Sequence, residues 1–317
     1  MNKVDFLKKE ASYECIYYPA RGRGRIIPVF KVLISTACEY NCRYCSLRCG
    51  REIPRIYVPP EEMADIFMEE YKRGRVDGMF LSSGIIKDAE WSQEKILETA
   101  KILREKYGFT GYLHLKVLPG APPELIRELS RYATRLSLNL EAPGDSILKK
   151  IAPRKHFTEF FSKLGIISKY ARSTATQIII GRWITDRQVL SLSHTLYRKF
   201  GITRVYYSPF RRVPDTPMEN EPECPGWRIK RLYQADRLIK IYGFKPHELV
   251  YDEDGNLPDE DPKELWARFH PEFFPVDIRK ADYWTLLRVP GIGPERARLI
   301  LEGKWKPGGE RWKSWMQ

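Results

Sequence analysis

VFKVLISTACEYNCRYC, residues 29–45, joins an apolar, β-branched run to three closely set cysteines. Val29–Ser35 reads as a β-strand. Cys38, Cys42 and Cys45 follow in the loop behind it, separated by three and then two residues. Thiolates are soft donors that suit iron–sulfur clusters, and a close-set trio in a loop can wrap a cuboidal one. A [4Fe–4S] cubane has four iron corners, so three protein ligands leave one iron open to a further partner. The competing reading is a zinc knot with Cys49 as fourth ligand, but zinc sites usually pair two short cysteine motifs at a distance. This chain has one compact group. Cys49 otherwise reads as a spare thiol, and Cys15 and Cys224 are isolated and carry no assignable role. Tyr44, between two of the three cysteines, reads either as packing against the cluster or a ligand on it, or as ordinary loop packing.

Outward from this loop, short β-rich runs alternate with longer helical patterns. Further strands are expected at 78–82, 112–117, 135–141, 177–181 and 204–208. Helices are expected at 60–73, 91–107, 123–132, 157–172, 186–200 and 227–242. Pro60, followed by two glutamates, is a good helix start. Six β-then-α units imply an α/β fold with a parallel sheet and right-handed crossovers. Periodicity does not say whether that sheet closes. Residues 245–280 are rich in Pro, Asp and Glu and read as a connector, and a short helical pair centres on 286–301.

The bulk composition narrows the function class. Among 317 residues, 43% hydrophobic and 30% charged is a soluble globular mixture. No apolar run approaches a membrane span, and the N-terminus lacks an apolar signal core, so a cytoplasmic protein is expected. Six cysteines are too few for a disulfide scaffold. The 54 Lys and Arg against 41 Asp and Glu give a formal charge of +13. That excess favours a polyanionic partner, nucleic acid ahead of a membrane surface, with a solvated basic surface as the alternative.

The cysteine spacing resembles the radical S-adenosylmethionine (SAM) superfamily. GMFLSSGI (78–85), GYLHLKVLPGA (111–121), RLSLNLEAPGDSILKKIAPRK (135–155), RVYYSPF (204–210), RLYQAD (231–236) and LLRVPGIG (286–293) resemble its DNA modification/repair branch, over about residues 12–301. The resemblance implies a partial (β/α)6 TIM-like barrel and two cofactors, a [4Fe–4S] cluster on Cys38, Cys42 and Cys45 and SAM on the open iron. It also implies reductive cleavage of SAM, an electron donor such as a ferredoxin or flavodoxin, and a uracil-DNA-glycosylase-like partner. Ser82, Ser83 and Gly84 stand where the superfamily has a Gly-Gly-Glu turn whose backbone meets the methionyl amino group. No Glu follows Gly84, and a plain strand-end turn is the alternative. Tyr44 would then lie on the adenine side of SAM. Asn139 and Glu141, ending the fourth strand, would face the ribose or the methionyl carboxylate, as the rule that working residues sit at strand C-termini suggests. His114 and Lys116 share one face of the third strand. Polar groups inside a barrel are costly unless paired, so a ligand or a hydrogen-bond network is expected there, Lys116 ahead of His114. Gly181 closes the fifth strand, either for close approach of adenine or as a bare turn. Ser208, Tyr206 and Tyr207 end the sixth strand near substrate entry, and no catalytic residue is assigned.

VPGIGPERARLI, residues 289–300, fits a helix-hairpin-helix, making a small α-helical C-terminal appendage to the barrel. Gly291 and Gly293 would allow a positive-φ turn and close backbone approach. Amides at the start of the second helix would face a phosphate, with Arg288, Arg296 and Arg298 adding contacts that position a duplex without reading it. A plain helical hairpin is the alternative. The expected organisation is an N-terminal segment (1–28), a radical SAM core (29–220), a helix with an acidic connector (221–280) and the hairpin with its tail (281–317). The leading expectation is an enzyme modifying or repairing nucleic acid, DNA ahead of RNA, on an extruded or single-stranded nucleotide. The alternatives are a radical SAM enzyme acting on tRNA or other RNA, and a non-catalytic iron–sulfur DNA-binding redox protein.

Overall fold

The computed structural model of the chain describes residues 3–11, 17–22, 25–305 and 315–316. Cys15 and residues 306–314 of the tail lie outside the described residues. Helix α1 (Lys3–Ala11) and a hairpin of β1 (Tyr17–Gly22) and β2 (Arg25–Leu33) open the chain. There follow α2 (Pro60–Lys72), β3 (Gly78–Ser82), α3 (Ala89–Lys101), β4 (Tyr112–Lys116), α4 (Pro123–Tyr132) and β5 (Arg135–Ser137). Then come α5 (Asp145–Ile151), α6 (Phe157–Tyr170), β6 (Thr174–Ile180), α7 (Asp186–Phe200), β7 (Arg204–Pro209) and α8 (Gly226–Ile241). The chain ends with α9 (Pro262–Phe269), α10 (Tyr283–Arg288) and α11 (Pro294–Leu301).

The sheet runs β1 to β7 in sequence order, with β1 antiparallel and β2 to β6 paired in parallel. Strands β2 to β7 form a curled six-strand half-barrel. This order follows from short right-handed crossovers that set each strand beside its predecessor. The helices begin where the sequence offers starts: Pro60 stands first in α2, and the Asp88 carboxylate accepts the Trp91 amide of α3 at 2.7 Å.

Two differences from the sequence reading have local causes. The fourth predicted strand, 135–141, breaks after Ser137. The Thr176 hydroxyl takes the Leu140 amide (3.2 Å) and donates to Leu138 O (2.7 Å), replacing backbone partners. Pairing resumes at Glu141, whose amide reaches Gln177 O and whose carbonyl accepts Ile179 N, both at 2.9 Å. The acidic stretch 245–280 is not merely a connector. It contains α9, whose Leu265, Trp266 and Ala267 are buried, and whose cap Asp261 accepts the amides of Lys263 (3.0 Å) and Glu264 (3.2 Å). Asp261 there caps an apolar stripe, and Glu248, Asp259, Glu260 and Asp277 hold arginines.

The chain divides into two compact units. The first comprises residues 1–179, 200–206 and 210–223; the second comprises 180–199, 207–209 and 224–317. Within the first, the two faces of the sheet differ sharply. Phe30, Met79, Leu81, Leu113, Leu115 and Leu136 are fully buried on the helix side. Lys31, Phe80, Tyr112, Lys116, Arg135 and Tyr206, on the other side, are only half-buried. The inner face therefore carries polar and aromatic side chains, of which His114 and Ser137 are buried.

Candidate active site

The cysteine loop follows β2 and is shaped by hydrogen bonds from elsewhere in the chain. The Arg55 guanidinium donates to four loop carbonyls: Thr36 (2.9 Å), Leu47 (2.8 Å), Arg48 (2.9 Å) and Arg51 (2.7 Å). The Glu39 amide reaches Ile85 O behind β3, and the Arg43 amide reaches Ile151 O at the end of α5, both at 2.7 Å. Arg154 donates to Glu39 O from the other side. Cys42 is buried, and Cys38, Cys45 and Cys49 are half-buried. Burial pushes the Cys42 thiol above its ordinary range, and burial with the neighbouring Cys42 pushes Cys45 up to about 12. Cys42 feels Cys38, and Cys45 feels both Cys42 and Cys38, so the three lie in one neighbourhood. Such thiols ionise readily only beside a strong positive charge, which a bound metal centre supplies.

Among the described residues, no three His, Cys, Asp or Glu side chains converge on a single ion. The surroundings fit a ligated cluster. Asn41 Oδ1, Ser83 Oγ and Glu141 Oε2 are buried and have no hydrogen-bond partner in the protein. Buried polar atoms are rarely left so. Gly84 lies against the loop: a Cβ there would stand 2.1 Å from Ala37 O and 3.2 Å from Cys38 Cβ. Only glycine permits that approach.

Glu141 is held unusually. Its φ is +65°, and the Ala142 amide bonds Leu140 O at 2.8 Å, closing a γ-turn of the rare positive-φ hand. Its buried carboxylate accepts from buried Lys155 at 3.0 Å. Burial alone would lower the Lys155 ammonium; Glu141 outweighs it and holds Lys155 above the usual lysine range. Tyr44 lies beside this pair: burial and then Glu141 push its phenol well above the ordinary value. Sequence reading missed Lys155, although it closes the quoted stretch 135–155, because its partner is fourteen residues upstream. Arg55 was missed because its targets are backbone atoms that no motif displays.

Lys116 and Asn139 meet side chain to side chain at the strand ends, Lys116 Nζ donating to Asn139 Oδ1. Burial lowers Lys116 to about 7, with Glu141 opposing and Lys155 and Lys31 adding. His114 is one layer deeper: its Nε2 is 2.7 Å from Ser137 Oγ, and its ring stands edge-on to Phe80 at 4.5 Å. Burial, then Lys116, Arg135 and Lys31, hold the imidazole well below its usual range, so it is neutral at pH 7. Tyr206 and Ser208 are half-buried, and Tyr206 accepts from Arg135 at 3.1 Å.

The second unit holds the remaining predicted residues. Tyr207 is buried and donates to Asp236 at 2.8 Å, a packing role that withdraws it from substrate. The space beside Gly181 is filled by Trp183, whose ring would lie 2.3 Å from a Cβ there, so the protein's own indole explains this glycine. In the hairpin, Gly291 has φ +77°, whereas Gly293 is the ordinary-φ cap of α11 and lies close to the Tyr242 hydroxyl. Arg288 is corrected out of the phosphate set. Its guanidinium pairs with Glu248 at 2.7 Å and stacks over Phe244 at 3.9 Å. Arg296 and Arg298 remain exposed; Arg296 donates to Gly291 O (2.7 Å) and lies over the Trp305 ring at 5.7 Å, and Arg298 donates to Pro294 O (3.4 Å). A groove of about 730 Å³ runs along this turn and is mixed in charge, lined by Arg237, Arg296 and Arg298 and by Asp261, Glu264 and Glu295. Lys263 is buried under the turn and donates to Ile292 O at 2.5 Å. Arg237 and Lys263 were not singled out in the sequence, since they come from α8 and α9.

Comparison with known proteins agrees with this geometry. The family model of the Radical SAM superfamily matches residues 32–196. The fold is similar to that of HydG, a maturase of the [FeFe]-hydrogenase (14% identity, TM-score 0.56, 66% of this chain and 49% of that one). It is similar to a radical SAM methyltransferase from Sphaerobacter thermophilus (16%, TM-score 0.52, 70% and 74%). It also resembles Streptococcus suis SuiB bound to S-adenosylmethionine (12%, TM-score 0.52, 67% and 47%). The chain thus spans about half the length of the maturase. No curated protein matches it.

Proposed function

The chain belongs to the radical SAM superfamily, and from that premise we propose that it modifies or repairs nucleic acid, DNA ahead of RNA. Its cofactors are a [4Fe–4S] cluster and SAM, and enzymes of this superfamily draw on an electron donor. When bound, this pair supplies a 5′-deoxyadenosyl radical by one-electron cleavage of the sulfonium. Cys38, Cys42 and Cys45 would hold the cluster, and Arg55 fixes the loop that presents them. Ser83 and Glu141 offer unmet polar atoms to SAM, Lys116 with Asn139 offers charge for a carboxylate, and Lys155 keeps the Glu141 carboxylate oriented.

The observation that carries the nucleic-acid reading is the groove at Gly291–Gly293. Exposed Arg296 and Arg298, with Arg237, line the start of α11, where no side chain caps the free amides, and share the groove with Asp261, Glu264 and Glu295. A helix start beside exposed guanidiniums suits a backbone phosphate. The helix-hairpin-helix reading, and the net charge of +13, support the same partner. Titrating duplex DNA, single-stranded DNA and RNA across salt tests it: affinity should fall steeply with salt, and binding that is absent or flat with salt rejects the reading. A preference for RNA would move the substrate to that class. Absence of 5′-deoxyadenosine from the reduced holoprotein with SAM would reject catalysis and leave a redox-active binding protein.

A further inference from the structure

Residues 38–55, which carry the three cluster cysteines, hold Arg43, Arg48, Arg51 and Arg55 against two acids, Glu39 and Glu52. The end of α5 and the turn after it lie against this loop and add Lys150 and Arg154. The Arg43 guanidinium donates to Lys150 O at 3.4 Å, and Arg154 donates to Glu39 O. Arg51 reaches Pro214 O (2.9 Å) and Ser46 O (3.1 Å), and Arg55 holds its four carbonyls. Arg43, Arg55, Lys150 and Arg154 are exposed, and Arg48 and Arg51 are half-buried. Every side-chain hydrogen bond of these six ends on a backbone carbonyl, and no carboxylate pairs with any of them among the described residues. A carbonyl satisfies an N–H without cancelling the charge behind it. Asp145, the nearby acid of α5, is taken by Lys149 at 3.0 Å. Positive charge therefore prevails on this face.

We propose that this face docks an acidic electron-carrier protein, which delivers the electron for SAM cleavage at the cysteine loop. Arg43 adjoins Cys42 and Arg48 lies three residues after Cys45, so the charges sit on the chain that holds the cluster ligands. The step moves one electron from the reduced carrier to the cluster and transfers no atom. Carriers of this kind dock through small, transient interfaces, which complementary charge steers and speeds. A single nucleic-acid strand is the competing polyanion. Surfaces built for one set aromatic faces among their cations, and no large exposed hydrophobic side chain occurs in residues 38–55 or 143–156. The inference draws on the superfamily's need for an electron donor and not on the nucleic-acid reading, so either can fail alone.

The test mixes the reconstituted holoprotein in a stopped-flow cell with an acidic flavodoxin or an acidic ferredoxin, each pre-reduced, and with dithionite as the small-molecule comparison. Cluster absorbance gives the second-order rate of reduction. With at least one carrier that rate should fall steeply as salt rises, and at low salt should drop about tenfold or more in the double variant Arg43→Glu, Lys150→Glu. Lys72→Glu, on α2, should leave it unchanged. The ratio of carrier-driven to dithionite-driven 5′-deoxyadenosine should fall in step. Iron content and melting curves show whether cluster and fold persist in each variant. Lys150→Glu alone, expected to slow the carrier about threefold, serves if the double variant loses its cluster. A carrier-driven rate indifferent to salt overturns the proposal, as does a folded, cluster-bearing Lys150→Glu reduced as fast as the unaltered chain. Failure of both carriers to reduce a cluster that dithionite reduces overturns it too. If Lys150→Glu weakens binding of a short single strand and spares reduction by the carrier, the face belongs to nucleic acid and the proposal falls.

Discussion

The cysteine loop and the glycine hairpin are both short, both glycine-assisted and both placed next to a helix, yet their polar groups are spent in opposite ways. Around the cysteines, backbone carbonyls are gathered by Arg55, while Asn41, Ser83 and Glu141 keep buried atoms unmatched. Around the hairpin, Arg288 is consumed by Glu248, and the exposed arginines reach carbonyls of their own turn and, for Arg296, the Trp305 ring. The first region is a rigid mould whose contents are missing from the sequence; the second is a charged surface that tolerates many anions. Rigidity with unmet donors and acceptors specifies one ligand, whereas exposed charge specifies only a sign.

The largest expected effect breaks the mould itself. Cys42→Ala should remove cluster iron and lower 5′-deoxyadenosine formation by about 1000-fold or more, while Cys49→Ala leaves both. Iron analysis and electron paramagnetic resonance of anaerobically reconstituted protein decide it; equal losses in the two variants would put Cys49 among the ligands. Next comes Lys155→Met, which strands a buried carboxylate and should cost about 3–5 kcal/mol in denaturant titration. At the other pole, Arg296→Ala with Arg298→Ala should leave stability unchanged and weaken duplex binding about tenfold, with the salt slope reduced by about two. Arg288→Ala should do the reverse, lowering the melting temperature with little change in slope.

A smaller effect concerns protons. Lys116 titrates near 7 in the free protein, below the usual lysine value, so it is mostly neutral at pH 8. A carboxylate arriving beside it would favour the ammonium, so SAM binding at pH 8 should take up a proton and tighten as the pH falls toward 7. Calorimetry in buffers of different ionisation enthalpy measures the uptake, and Lys116→Met should abolish it. The same depressed value means the folded chain binds fewer protons than the unfolded one between about 7 and 10.5, so this group's cost to stability eases as pH rises through that window.

What could be read from the sequence follows from range. The strand-to-cysteine passage at 29–45 and the alternation behind it are local patterns, and six parallel units followed from them. Glu141 could be suspected from its place at a strand end, but its positive-φ turn adjoins Leu140, whose amide is taken by the Thr176 hydroxyl thirty-six residues further along the chain. Helix α9 was hidden because Asp261 and its acidic neighbours suggest a loop, although the same residues cap a buried Leu265–Trp266 stripe. Arg288 looked like a phosphate ligand because its partner, Glu248, is forty residues upstream. Residues whose partners lie within a turn or two were legible; those completed by distant chain were not.

Arg55 has one more consequence. The four carbonyls it draws together belong to the polypeptide, and none of those contacts passes through a metal. Loss of the inorganic core to oxygen should therefore leave the surrounding peptide folded around a guanidinium, and iron and sulfide alone should then restore it; far-ultraviolet circular dichroism before and after reconstitution checks this.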